Sequence, residues 1–228
     1  MLIYKGPSRL DPSQTIVAIL TFESANTKTG PMAQLFIMHA DVAPHTAQKT
    51  GHDAAVCGDC PFRPALKTPG VNACYVRTFQ GPRSTWEAHR HSEVELARAL
   101  AQIAETKASV RLGAYGDPAA LPPDIIASLA SAADGRVTGY THQWRAPHAA
   151  HLRPYVMASC DDVTHYARAK AEGWRTFRVI QKRSLPVLAK REIECPSDKG
   201  VQCIDCLLCD GASYGPADRR KDIAIAAH

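Results

Sequence analysis

From Ser92 to Lys182, segments with helical periodicity alternate with segments of strand character, and this alternation constrains the fold more than any other feature. Leu96, Leu100 and Ile103 recur at helical spacing behind a Ser92/Glu95 capping-box pattern, which places a helix start at Ser92. "SVRLGAYGDP" reads as a short strand running into a Gly-Asp-Pro turn. Pro122 and Pro123 open a second helix that carries Ile125, Ile126, Leu129 and Ala133 and stops at Gly135. "RVTGYTHQW" reads as a strand with Thr138, Tyr140, His142 and Trp144 on one side. "RPYVMASCDD" is another strand, "DVTHYARAKAEG" a helix ending at Gly173, and "RTFRVIQK" a further strand. Such alternation predicts a parallel sheet with crossover helices, either open or closed into a complete or partial barrel.

Upstream, "TIVAILTFES" (15–24) and "QLFIMHAD" (34–41) read as strands joined by a polar, Gly-containing turn. From about Ala43 to Gly81 the chain is loop-like and rich in Pro, Gly, His and Cys, and loops of that length are usually functional or organised by metal. The expected organisation is a single domain. It has N-terminal strands and a first cysteine loop over 1–91, an α/β core over 92–183 and a C-terminal extension over 184–228.

Polar residues collect where the strands end: Gly116 and Asp117, Trp144 and Arg145, then Ser159, Cys160 and Asp161, and finally Lys182 and Arg183. In parallel α/β architectures that edge is where ligands bind. The competing reading makes these residues caps and turns, with Asp161 or Asp162 capping the helix that follows.

Composition narrows the class. With 228 residues, 45% hydrophobic and 21% charged, the chain can build an ordinary core without cross-links. It has no apolar run of about 18 residues and no basic-then-apolar leader, so no membrane partner and a cytoplasmic location are expected. In a reducing compartment its eight cysteines are metal ligands or free thiols rather than disulfides. The net charge of +5 is spread along the chain and says little about partners.

Seven of the cysteines fall into two groups. Cys195, Cys203, Cys206 and Cys209 form C-P-x6-C-x2-C-x2-C, four thiolates suited to a 4Fe–4S cluster or to tetrahedral zinc. Cys57, Cys60 and Cys74 form C-x2-C-x13-C, one ligand short of a set. Zinc would need His52 or Cys160 as a fourth ligand, whereas an iron–sulfur cluster would keep one position open to a substrate or cofactor. Cys160 on its own reads as a small buried residue.

"VCGDCPFR…ACYV", "RLGAYGDP", "TGYTHQWR", "MASCD", "GWRTFRV" and the C-terminal cysteine run together resemble a group of cysteine-rich phage, plasmid and bacterial proteins. These are related to the phage gene product 88 family, and the match runs from about Thr29 to the C-terminus. More distantly, the order of parts is similar to a minimal radical S-adenosylmethionine partial barrel. That resemblance implies two 4Fe–4S clusters. Cys57, Cys60 and Cys74 would hold the one with an open iron for S-adenosylmethionine, and the C-terminal four would hold an auxiliary one. It further implies that Gly113, Gly116 and Asp117 receive the methionine moiety, with Ser159 and Asp161 near the ribose. The spacing departs from that superfamily's usual C-x3-C-x2-C.

Tyr140, His142, Trp144 and Arg145 could hold a flat substrate at the barrel mouth, or could be ordinary core. Trp86, His89, Arg90 and His91 interleave aromatic and basic character as nucleic-acid contacts do, or form a solvated helix approach. No residue is singled out as catalytic. The alternative function is a non-enzymatic protein, stabilised by zinc or an iron–sulfur cluster, that binds nucleic acid or a host protein.

Overall fold

The computed structural model describes residues 1–67, 74–180, 187–215 and 218–226, so Lys182 and Arg183 lie outside the described residues. The chain opens with an antiparallel meander: β1 (Leu2–Pro7), β2 (Thr15–Thr21) and β3 (Ala33–His39). In β2 the run Ile16 to Leu20 is buried without alternation, because both faces of this strand are covered. Next to β3, and parallel to it, lies β4 (Val110–Tyr115). Then come β5 (Val137–Thr141), β6 (Met157–Cys160) and β7 (Thr176–Ile180), all parallel. The C-terminal β9 (Asp222–Ala226) inserts between β7 and β8 (Glu192–Glu194).

Among the described residues the result is an α/β fold with one nine-stranded, mostly parallel sheet that is not closed, with β1 and β8 as its edges. From β3 to β7 spatial order follows chain order, so every crossover steps the same way. That order lacks the reversal of a doubly wound sheet. Two of the crossover helices, α4 (Leu96–Thr106) and α5 (Pro123–Ala132), pack side by side. Ile103, Val110, Leu112, Ile126 and Leu129 belong to the core between them and the sheet. Among the described residues, no helix is long and apolar enough to cross a membrane.

The structure corrects several expectations. The segment 43–81 is not a bare loop, since it holds α1 (Pro44–Thr50), α2 (Ala54–Cys57) and the first residue of α3 (Gly81–His89). In α3 the Trp86 ring is buried with its Nε1 donating to the His39 carbonyl at 2.8 Å, so it is not a stacking platform for nucleic acid. Helix α4 begins at Leu96 and makes no capping box. The Glu95 N–H instead donates to Leu2 O, its carboxylate takes Arg98, and a Leu2–Val94 bridge holds the preceding residues extended.

The strand over "RVTGYTHQW" stops at Thr141. Thr141 Oγ1 accepts the Gln143 N–H at 3.0 Å and the Asp117 carboxylate accepts the His142 N–H at 2.8 Å, which turns the chain into a short 3-10 segment, Gln143–Arg145. Trp144 therefore leaves the strand face and packs inward, its Nε1 donating to Ser159 O. At the next strand end the helix α6 (Val163–Ala171) is capped by Asp162, whose Oδ1 accepts the His165 N–H at 2.7 Å. Asp161 is thereby left free for other contacts.

Candidate functional site: two cysteine pockets on one sheet

The C-x2-C step is closed by the Cys60 N–H donating to the Cys57 carbonyl at 3.2 Å. The third cysteine returns across the long spacer because the Cys74 N–H donates to Phe62 O at 2.8 Å, only two residues beyond Cys60. Arg63 holds the loop in shape. Its guanidinium donates to Asp53 at 2.8 and 3.1 Å and to the carbonyls of Gly58 and Gly51. Burial pushes the Cys57 thiol well above its ordinary value, and its neighbours Cys60 and Cys74 push it further. Burial likewise raises Cys74 to about 11. The three thiols thus lie near enough to act on one another, and deprotonation there requires a compensating positive charge.

This pocket sits at the C-terminal ends of β4 and β5. The Asp117 N–H donates to Val56 O at 2.6 Å, and Gln143 Nε2 donates to the Cys57 carbonyl and to Asp59. Arg145 pairs with Asp59 at 3.2 Å, so it anchors the cysteine loop. The "GAYGDP" turn has Gly113 and Gly116 at φ +81° and +82°, and a side chain at Gly116 would run into the Ile37 carbonyl. Asp117 is buried, its Oδ1 accepting from Ala119 N and its Oδ2 from His142 N. Its carboxylate thus fastens this turn to the end of β5, while its N–H fastens it to the cysteine loop.

His142, the residue after β5, borders the pocket. Its Nε2 lies 4.0 Å from Cys60 Sγ and 3.5 Å from Asp161 Oδ1, while Asp161 Oδ2 lies 3.4 Å from His165 Nδ1. Burial lowers the His142 pKa, but Cys60 and Asp161 outweigh it and lift it to about 10. Ser159 is buried at 3% exposure, and of the β6 end it is Asp161 that reaches towards the cysteines. His52 is turned away, bonded to Thr50 and stacked edge-on against His39. Cys160 is fully buried with its thiol donating to Ala158 O, as expected of a small core residue. Tyr115, which sequence reasoning passed over, places a buried hydroxyl without a hydrogen-bond partner in a setting influenced by Cys57 and Cys74.

The second group lies elsewhere on the same sheet. Cys195 follows β8 and its N–H donates to Ala224 O, while Cys203 and Cys206 bound the single turn α7 (Cys203–Cys206). The Cys203 and Ile204 N–H groups donate to the carbonyls of Lys28 and Thr29, and Gly139 N donates to Cys209 O. Cys195, Cys203, Cys206 and Cys209 surround a cavity of about 20 Å3, together with Thr138 and Tyr140 of β5. Tyr140 therefore belongs with the second group and not beside His142. Its ring lies 4.0 Å from that of Phe177. Burial raises Cys209 to about 12 against the opposing pull of Tyr140. Arg111 of β4 donates to the Tyr75 hydroxyl at 3.0 Å. Burial would lower the Arg111 pKa, yet Tyr75, Tyr140, Cys203 and Cys209 raise it, so a cation stands beside these thiols. A lone arginine in an otherwise apolar strand was the available sequence signal.

Among the described residues, no three His, Cys, Asp or Glu side chains are grouped as they would be around a metal ion. A tetrahedral zinc site with Zn–S near 2.3 Å would bring its sulfurs to within about 3.8 Å of one another. No protein-family model matches the chain, and neither the curated proteins nor the solved structures include a significant match.

The loop carrying Cys209 is held by ion pairs. Arg175 donates to Asp210 Oδ1 at 2.5 Å, to Asp210 O and to Lys221 O, and Arg220 pairs with both Asp210 and Asp218. Burial raises the Asp218 pKa, but Arg220 prevails and holds it down at about 2. A carboxyl depressed below its unfolded value of 3.8 stabilises the fold above that pH and loses the contribution as pH falls towards 2. With solvent reaching Arg220, Asp218→Asn should cost about 1 kcal/mol at pH 5. Urea titrations should show the gap between variant and parent closing below pH 3; a gap independent of pH would contradict the assignment.

Proposed function

We propose that the chain is an iron–sulfur enzyme of the radical S-adenosylmethionine type, built on a partial barrel. One observation carries the reading. Counting along the parallel strands, the three-cysteine loop follows the first, β3; the glycine turn Gly113–Asp117 follows the second, β4; and Ser159 and Asp161 end the fourth, β6. The resemblance requires those parts in that order. The one-directional strand order and the shared strand edge support it.

Cys57, Cys60 and Cys74 would hold a 4Fe–4S cluster, and the orphaned Tyr115 hydroxyl is a donor suited to a negatively charged group there. Bound in this pocket, the cluster would supply an electron to a sulfonium and one iron position open to an amine and a carboxylate. The backbone of the Gly113–Asp117 turn would meet the methionine end, and Asp161 would be the polar group towards the ribose. Cys195, Cys203, Cys206 and Cys209 would hold the auxiliary cluster, with Arg111 offsetting thiolate charge. The two consecutive C-x2-C steps, like the tight cysteine run that wraps a four-iron cube, favour a cluster over zinc there. The family resemblance points to a nucleotide or nucleic-acid substrate in a phage, plasmid or bacterial setting.

Anaerobic purification tests this directly. Brown protein with roughly eight irons and matching sulfide is expected, together with 5′-deoxyadenosine release from S-adenosylmethionine on reduction. Colourless protein with stoichiometric zinc would establish the alternative, a metal-stabilised binding protein. Iron-loaded protein that neither binds nor cleaves S-adenosylmethionine would defeat the enzyme reading.

A further inference from the structure

Building on the function proposed above, we infer that His142 is a hydrogen-bond donor to the Cys60 thiolate, not the missing fourth ligand. In that position it sets the reduction potential of the cluster held by Cys57, Cys60 and Cys74.

The geometry turns on one nitrogen. His142 Nε2 faces Cys60 Sγ at 4.0 Å and Asp161 Oδ1 at 3.5 Å. A ring nitrogen carries either a hydrogen or a lone pair in its single in-plane direction. An ionised carboxylate is an acceptor only, and so is a thiolate. A lone pair on Nε2 would point at two electron-rich atoms, whereas an N–H can donate to Cys60 Sγ and stands at ion-pair distance from Asp161 Oδ1, which has no hydrogen bond of its own. Metal ligation through Nε2 would spend that lone pair on the metal and leave the Asp161 carboxylate without an N–H to face.

The ring is held in this pose from several sides. Its backbone N–H is fixed by Asp117 Oδ2, the Phe62 ring meets it edge-on at 5.5 Å, and Asp161 is backed by His165. At 15% side-chain exposure, the donor works in a medium that strengthens it.

A donor to a ligating sulfur draws charge off that sulfur and favours the cluster state with one more electron, so the midpoint potential rises. Holding the histidine as a donor also reserves the fourth metal position for a ligand from outside the chain. His142 is thus a positioning residue for the proposed chemistry.

The test uses the full chain, reconstituted with iron and sulfide, and potentiometric titration followed by electron paramagnetic resonance. His142→Phe should keep its full iron content while the midpoint of the first cluster falls. His142→Gln, which restores an N–H donor, should recover part of the shift. Loss of iron from His142→Phe, or nitrogen-ligand hyperfine coupling in protein labelled with 15N-histidine, would make His142 a ligand and overturn the inference. An unchanged midpoint in fully loaded His142→Phe would overturn it as well. The parent reading fails by a different measurement: replacing Cys57, Cys60 and Cys74 together with alanine would leave the iron content unaltered.

Discussion

Arg175→Met should lower stability by about 3–5 kcal/mol, the range for removing one partner of a buried ion pair. For a chain of this size that corresponds to a fall in Tm of roughly 6–20 °C. Arg175 is 1% exposed and reaches three acceptors, Asp210 Oδ1, Asp210 O and Lys221 O. Methionine fills much of the same volume, so packing loss is small and the cost is that of three abandoned acceptors. Two features limit it: Asp210 keeps Arg220, and Arg175 Nε has no partner to lose. Because Asp210 follows Cys209 directly, the damage should be local in function. A protease should cut between Asp210 and Lys221 first, and on the proposed function the variant should lose iron at the C-terminal group while the first cysteine pocket stays loaded. A Tm within 1 °C of the parent, with both sites loaded, would show that the pair contributes nothing to holding this loop.

The pinning by Arg175 explains why the C-terminal extension is not a separate unit. β9 enters the sheet between β7 and β8, and its first residue, Asp222, takes the Thr176 N–H at 2.9 Å and the Lys170 ammonium at 3.0 Å. The second cysteine pocket is therefore walled on one side by β5 and on the other by chain more than fifty residues later. The two pockets share strands β4 and β5: Asp117 and His142 follow their C-terminal ends at the first pocket, and Arg111 and Tyr140 serve the second. A change in either strand should be felt at both.

How much of this could be read from the chain depended on how local each cause is. The buried run in β2, the strand β3 and the proline-opened α5 follow from periodicity and end signals, and they fall where those signals put them. β9 was missed although "DIAIA" alternates, because only β7 and β8, distant in sequence, make it a strand. The period-two pattern of Thr138, Tyr140, His142 and Trp144 continues past the true end of β5, since what stops the strand is a carboxylate from Asp117. The two cysteine groups were legible as spacings. The neighbour of the incomplete set was not, because His142 meets Cys60 across 82 residues of sequence. His52 and Cys160 were the candidates that sequence proximity and residue type suggested, and neither lies against the three thiols.

Asp117→Asn should be the most damaging conservative change at the first pocket. One carboxylate oxygen accepts Ala119 N–H and the other accepts His142 N–H, so both must be acceptors. An asparagine offers one carbonyl oxygen and must turn its amide N–H2 towards a backbone N–H. The unsatisfied N–H that results costs about 1–3 kcal/mol when buried. Asp117→Ala abandons both and should cost more, about 2–5 kcal/mol by the same reckoning. In the asparagine variant the weaker grip is expected at whichever N–H faces the amide. If that is His142, the ring loses its backbone anchor and its alignment with Cys60. Urea denaturation should then report the stability loss, and on the proposed function the iron-loaded variant should show a broadened or shifted first-cluster signal with the C-terminal cluster unchanged. Stability equal to the parent in both variants would mean that the Asp117 carboxylate does not fasten the turn after β4 to the end of β5, and the joint between that edge and the Cys57–Cys60 turn would then rest on the Asp117 N–H to Val56 O, Gln143 and Arg145.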